Sequence, residues 1–267
     1  MSGVVKGAVP PAARRGGGGL ETAGYAGTVL LGAALIVVTA IHQPLNQNEL
    51  QQMAPYDSSS LSTITGGTRQ PPLDPLLGAL VQHLLGEGQL RQRLVPVCAG
   101  IGTLVLMSVL LRRMRLGVAG VVALAALATA PLMVRFSAYS RPYALPLVLM
   151  MLFVYAAERW LDSGRRRWLV AAGLAGAALP LARVPEPTIF LFATAVTLAW
   201  LAYRGRFAWS RAGPIVAVSV AALGLVGYPM FRALASAAPG LWDPSPSGFV
   251  NGFGEGAREF FGSAVPL

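Results

Sequence analysis

Cysteine, lysine and histidine are close to absent from this chain of 267 residues, and each shortage closes off a kind of chemistry. Cys98 is the single cysteine, so no intrachain disulfide, CxxC metal site or thiol relay can be built; its setting in an apolar run argues for packing. Lys6 is the single lysine, and neither glycine-rich stretch, 16–19 or 248–256, follows a strand or carries a Walker lysine, which leaves no nucleotide-cradling loop. His42 and His83 are the only histidines and have no partner at metal-ligand spacing, so no imidazole metal site and no Ser–His–Asp set is expected; any divalent-metal requirement stays open. Charge is scarce as well. Only 12% of residues are charged while 54% are hydrophobic, and the mean hydropathy of +0.58 lies well outside the soluble range.

In place of charge the chain has a series of apolar runs: 25–41, 94–111, 116–134, 144–157, 168–182, 187–203 and 214–231. They predict an all-α polytopic transmembrane bundle of about seven spans, the shorter ones extending into their flanking loops. The 21 basic residues outnumber the 11 acidic ones, which in a soluble chain would suggest nucleic acid. Here they recur in every second loop instead: Lys6, Arg14 and Arg15, then Arg112, Arg113 and Arg115, then Arg165 to Arg167, then Arg204, Arg206 and Arg211. By the positive-inside tendency the N-terminus is cytoplasmic and the segment after the last span extracytoplasmic, in a multi-pass cell (plasma) membrane protein with no nucleic-acid partner. Trp160, Trp168, Trp200 and Trp209 stand near run ends, as belt residues do. Residues 1–24, rich in Gly, Pro and Ala, read as a loose tail; 25–231 as the transmembrane module; 232–267 as an extracytoplasmic segment, expected to be incomplete from its mid-loop ending. The first run is long for a signal peptide and reads as an uncleaved anchor. The near-exclusive use of Arg and the abundance of Ala and Gly point to a GC-rich bacterial genome.

Two segments break the alternation of span and short loop: the long loop 42–93 and the tail from Arg232. Within the loop, Leu73, Leu76, Leu77, Leu80, Val81, Leu84 and Leu85 fall at helical spacing after Pro71 and Pro72 and before Gly86. The spacing predicts a short amphipathic helix lying in the membrane interface or packed on the spans as a small core helix. Glu49, in Asn46-Gln47-Asn48-Glu49 with Gln51 and Gln52 beside it, is a carboxylate placed to take a proton from an acceptor hydroxyl, although alone it reads equally as a solvated loop acid. Asp57 and Asp74 are lesser candidates, since the dipole of its helix explains Asp74. Arg69, Arg135, Arg141, Arg183 and Arg232 fall on the side that the positive-inside tendency should have cleared. Together they suggest a ring of guanidinium forks for a phosphate; singly each is explained by snorkelling or by pairing with Glu186 or Glu49.

Three segments resemble one known superfamily. Gln70-Pro71-Pro72-Leu73-Asp74-Pro75-Leu76-Leu77 is similar to the His-Pro-Pro-Leu-Tyr-Tyr segment of the first outer loop in GT-C membrane glycosyltransferases of the dolichyl-phosphate-mannose protein mannosyltransferase-like superfamily. Tyr139-Ser140-Arg141-Pro142-Tyr143-Ala144-Leu145 is similar to its Glu-Ala-Arg-Pro-Tyr-Ala-Leu segment, and Arg91-Gln92-Arg93-Leu94-Val95-Pro96 falls where the family enters its second span. The resemblance, over roughly residues 25–203, implies a GT-C-like fold. It implies inverting transfer of a sugar from a polyprenyl-phosphate donor to a glycan or protein acceptor on the extracytoplasmic face, with no further cofactor assigned. It further implies Glu49 as general base, in a place where the family has an Asp-Glu pair and this chain has Asn48-Glu49. Arg141, Arg183 and Arg69 would hold the donor phosphate, and Asn48, Gln70, Asp74 and Tyr143 would shape the pocket, Gln70 replacing the usual His and Asp74 the usual aromatic. The alternatives are a transporter or lipid flippase, for which ionisable residues within the spans would speak, and a non-catalytic membrane subunit, for which the short length speaks.

Overall fold

In the computed structural model, which describes residues 18–237 except 55, 57, 59, 61, 62, 65–70 and 87, every regular element is helical. Helix α1 (Gly18–His42) starts ahead of Tyr25, with Glu21 in its first turn. Loop helices α2 (Gln47–Met53), α3 (Leu73–Leu85) and α4 (Gln89–Gln92) follow, and α5 (Leu94–Arg113) leaves α4 at a kink on Arg93. Next come α6 (Gly117–Thr129), α7 (Pro131–Ala138), α8 (Ala144–Ser163), α9 (Arg166–Ala182), α10 (Pro185–Tyr203), α11 (Trp209–Ala221), a π-helical turn at Ala222–Gly227, and α12 (Tyr228–Ala237).

By length and composition α1, α5, α8, α10 and the rod 209–234 can each cross a membrane, five in all, and the α6–α7 pair makes six. The run expected as one span at 116–134 is thus divided: Ala130 is extended, Pro131 has no N–H to continue the ladder, and the halves bend by 53°. Helix α9 has 17 residues and Pro180 near its end, which leaves it short of a full crossing on its own. Against the expected count of about seven, five to six stand by this measure among the described residues.

Two apolar cores hold the rods. Ile36 and Ala40 of α1, Val97, Leu104 and Leu111 of α5, Leu124 and Ala128 of α6 and Met133 of α7 form one; Phe153, Ala156, Ala172, Ala175, Leu179, Leu191, Leu198 and Ile215 from α8 to α11 form the other. Small residues let the backbones approach: a Cβ added at Gly32 would lie 3.0 Å from Ala128 and closer still to Leu104. The outer surface is apolar, with Leu30, Val118, Leu174 and Leu225 all more than two-thirds exposed, as a lipid-facing surface requires. Cys98 belongs to this outward face rather than to the core expected for it. Trp200 and Trp209 are outward too, whereas Trp160 is buried and donates Nε1–H to the Arg211 carbonyl at 2.8 Å.

The loops sort to two ends. At the basic end Arg112 reaches Thr22, Arg113 pairs with Glu158 and Asp162 of α8, and Arg211 lies against Trp160 and Gly164. The loop helices and the turns at 43–46, 139–143 and 183–185 gather at the opposite end, where every buried charge among the described residues is found: Glu49, Asp74 and Arg93.

Candidate active site

Local capping logic places Glu49. Asn46 caps α2, its side chain accepting from the Glu49 N–H at 3.0 Å, while Glu49 Oε2 accepts from the Asn46 N–H at 3.1 Å. This turns the carboxylate back toward the C-terminal end of α1, where Arg93 meets it. Arg93 Nε donates to Oε1 at 2.9 Å and Nη2 to Oε2 at 2.7 Å, the fork geometry of a bidentate pair. Nη1 also donates to the carbonyls of Ala40 and Gln43, and Nη2 to that of Pro44, so all five guanidinium protons are used. The fourth lone pair of Glu49 accepts the Ser140 N–H at 2.8 Å. Both side chains are fully buried. Burial alone would push the Glu49 carboxyl up, but the Arg93 hydrogen bonds and charge, with the Ser140 and Asn46 N–H groups, outweigh it and hold it below the ordinary carboxylate value.

Ser140 opens the turn that carries the arginines. Tyr139 lends its hydroxyl to Gln43 Nε2 at 2.7 Å and to Arg135 Nε at 2.9 Å, and Arg135 also lies over its ring. Arg141 is half-buried and makes no side-chain hydrogen bond or ion pair among the described residues. Tyr143 stacks on Phe136 with centroids 4.6 Å apart, and the Arg183 guanidinium lies 4.6 Å from its ring centroid. Arg183 Nε donates to Glu186 at 2.5 Å.

A second buried cluster joins α2 to α3. Gln52 Nε2 donates to Asp74 Oδ2 at 2.5 Å and lies 3.5 Å from the Tyr56 hydroxyl, which also bonds Ser140 and so links the two clusters. The Tyr56 ring lies on Gly78 of α3 so closely that a Cβ there would be 2.5 Å from it. Asp74 is 4% exposed, and burial, only partly offset by the Gln52 hydrogen bond, pushes its pKa up to about 6. Burial and the Asp74 charge raise the Tyr56 phenol as well.

The expected residues therefore divide. Arg141, Arg183 and Tyr143 share one turn and its stacking partner; Glu49 and Asp74 sit in linked buried clusters; Asn48 is exposed on α2. Arg69, Gln70 and Asp57 lie outside the described residues. Arg232 lines a separate cleft of about 330 Å³ with Tyr228, Pro229 and Ala233. Both oxygens of Glu49, the expected general base, are saturated with hydrogen bonds and neither is exposed. Gln52, Arg93 and Tyr139 appeared in the sequence reasoning only as parts of quoted segments, without a role, and Tyr56 not at all. The signal for Arg93 was an arginine directly before an apolar run on the side that the positive-inside tendency should have cleared. Among the described residues no three of His, Cys, Asp and Glu converge to hold a metal ion.

The family model described as dolichyl-phosphate-mannose-protein mannosyltransferase matches residues 69–230, more than half of the chain. No curated protein matches it.

Proposed function

This chain belongs to the dolichyl-phosphate-mannose-protein mannosyltransferase family of GT-C membrane glycosyltransferases, and from that premise we propose that it moves a sugar from a polyprenyl-phosphate donor to a glycan or protein acceptor, with inversion. The reaction takes place at the extracytoplasmic face of the cell membrane, where nucleotide sugars are not available and an activated sugar must arrive on a lipid. The acceptor hydroxyl attacks the anomeric carbon as the bond to the lipid phosphate breaks, its proton passing to a carboxylate and the charge of the departing phosphate to guanidinium groups.

One observation carries this reading: Arg141, half-buried and without a counter-ion among the described residues, stands in a turn whose backbone is fixed by Glu49 and whose Tyr143 stacks on Arg183. A guanidinium left unpaired at the loop end of a membrane bundle fits an anion that arrives with the substrate. Arg141 and Arg183 are the phosphate ligands, with Arg69 the third expected member. Asn48, Gln70 and Tyr143 complete the proposed pocket. The absence of buried acidic or basic side chains from the spans, among the described residues, favours this reading over a transporter.

The proton acceptor is an acid of the outer loop. Glu49 holds the place that the family resemblance assigns to it, but it could accept a proton only by giving up one of four hydrogen bonds. Asp74 receives a single one among the described residues and has a pKa of about 6, close to the working range of a base, so we assign proton acceptance to Asp74 and the framing of the turn to Glu49.

The test is transfer from radiolabelled polyprenyl-phosphate sugar by the purified protein. Arg141→Gln is expected to raise the donor KM by about tenfold or more, the worth of a charged hydrogen bond; an unchanged donor KM would remove Arg141 from the site. Asp74→Asn is expected to abolish turnover in a folded protein, and wild-type kcat to fall below pH about 6. Full turnover in Asp74→Asn with loss in Glu49→Gln would return the base role to Glu49.

A further inference from the structure

Among the described residues two ion pairs stand at the loop end, and they are built in opposite ways. Glu49–Arg93 is closed, with neither side chain exposed and every donor and acceptor taken. Arg183–Glu186 is open, with 27% and 54% of the two side chains exposed and a single contact between them. We propose that Glu186 is a placeholder: its carboxylate occupies the guanidinium edge of Arg183 that the phosphate of a polyprenyl-phosphate donor takes over on binding. This rests on the reading of Arg183 as a donor-phosphate ligand and adds to it the group that the phosphate must displace.

Each half of the pair is stable without the other. Arg183 is positioned from its other side, by the face and hydroxyl of Tyr143, which is itself stacked on Phe136. When Glu186 leaves, the guanidinium still lies on a fixed ring and keeps its aim. Glu186 stands in the first turn of α10, where the free N–H groups of the helix start favour a negative charge, and it is half in solvent already. An exposed pair of this kind shifts an equilibrium by no more than about fivefold. The donor phosphate, a diester with one full charge and oxygens that match the fork, can outcompete it, and the sugar-free lipid phosphate carries up to two charges. The placeholder keeps the guanidinium paired between turnovers and weakens donor binding slightly, which helps the spent lipid phosphate to leave. Glu186 thus tunes donor affinity without touching the reacting atoms.

The probe is polyprenyl phosphate without sugar, titrated against the full chain in neutral-lipid nanodiscs. Glu186→Gln is expected to bind it about three- to fivefold more tightly, and Arg183→Gln about tenfold or more weakly. The double variant Arg183→Gln/Glu186→Gln is expected to match Arg183→Gln, because the gain exists only through the arginine. Unchanged affinity in Glu186→Gln, with weakening in Arg183→Gln, overturns the placeholder and leaves the donor site standing. Unchanged affinity in Arg183→Gln, or no binding by the wild type, overturns both. Phosphatidylglycerol run in parallel separates the two sources of a lipid phosphate: tightening for phosphatidylglycerol alone overturns the donor version.

Discussion

Glu49 shows how a single carboxylate can be spent on architecture. Its four hydrogen bonds come from three separate stretches of chain, the α2 cap, the α4–α5 kink and the Ser140 turn, so it fixes where the Arg141 turn sits relative to the outer loop. Removing one member of such a pair strands the other charge, and Glu49→Gln is expected to lower stability by about 3–5 kcal/mol, measured by denaturant titration in detergent. The pH dependence has a definite sign. The folded pKa of Glu49 lies below its unfolded value, so this stability is complete above the unfolded carboxylate range and is lost as pH falls through the folded value. Asp74 has the opposite sign. Its folded pKa of about 6 lies above the ordinary value of 3.8, so ionising it in the fold is a cost that begins above about pH 4 and is complete above about pH 6. Asp74→Asn is therefore expected to raise the melting temperature at pH 8 and to leave it unchanged at pH 4. Equal shifts at both values would mean that folding does not raise the Asp74 pKa.

At the scale of elements, α3 is the instructive case. Its leucine periodicity was legible, and the helix runs over Leu73–Leu85 as the spacing predicts. Which side faces the protein was not legible from apolarity alone. The buried residues are Asp74, Pro75, Gly78, Ala79 and Gln82, whereas Leu80 and Leu84 are 52% and 72% exposed. Small size decides the inward face, because Tyr56 needs Gly78 to lie flat on the helix. Gly78→Ala is expected to cost about 1–3 kcal/mol by displacing Tyr56, read as a lowered melting temperature. A fluorophore at Leu84→Cys, in a Cys98→Ser background, is expected to be quenched by lipid-phase rather than aqueous quenchers. The Asn46–Glu49 capping box was likewise written in four consecutive residues, yet its reach to Arg93 and Ser140 spans 44 and 91 positions. Local patterns carry helices and caps; partners that distant become visible only when the spans are packed.

For the whole molecule, the alternation of basic and acid-containing loops is the feature that sequence conveys best, because each turn of a membrane bundle must go to one end or the other. The packing respects that division: the basic turns meet through Arg113, Glu158 and Arg211, and the candidate site assembles at the other end. The break at Pro131 and the short α9 were less legible, since hydropathy registers an apolar run and not the bend within it. The site needs only the end, not the number of crossings. If phosphate-linked sugar is handled outside the cytoplasm, then Asn48 and Ser163, both exposed and at opposite ends of the bundle, must lie on opposite sides of the membrane. In the Cys98→Ser background, Asn48→Cys is expected to react with an impermeant maleimide on intact cells, and Ser163→Cys only after permeabilisation. The reverse pattern would put the arginine turn in the cytoplasm, where nucleotide sugars are at hand and the reason for a lipid-carried donor disappears. Labelling of both from outside would place α8, which separates Arg141 from Ser163, across no membrane at all.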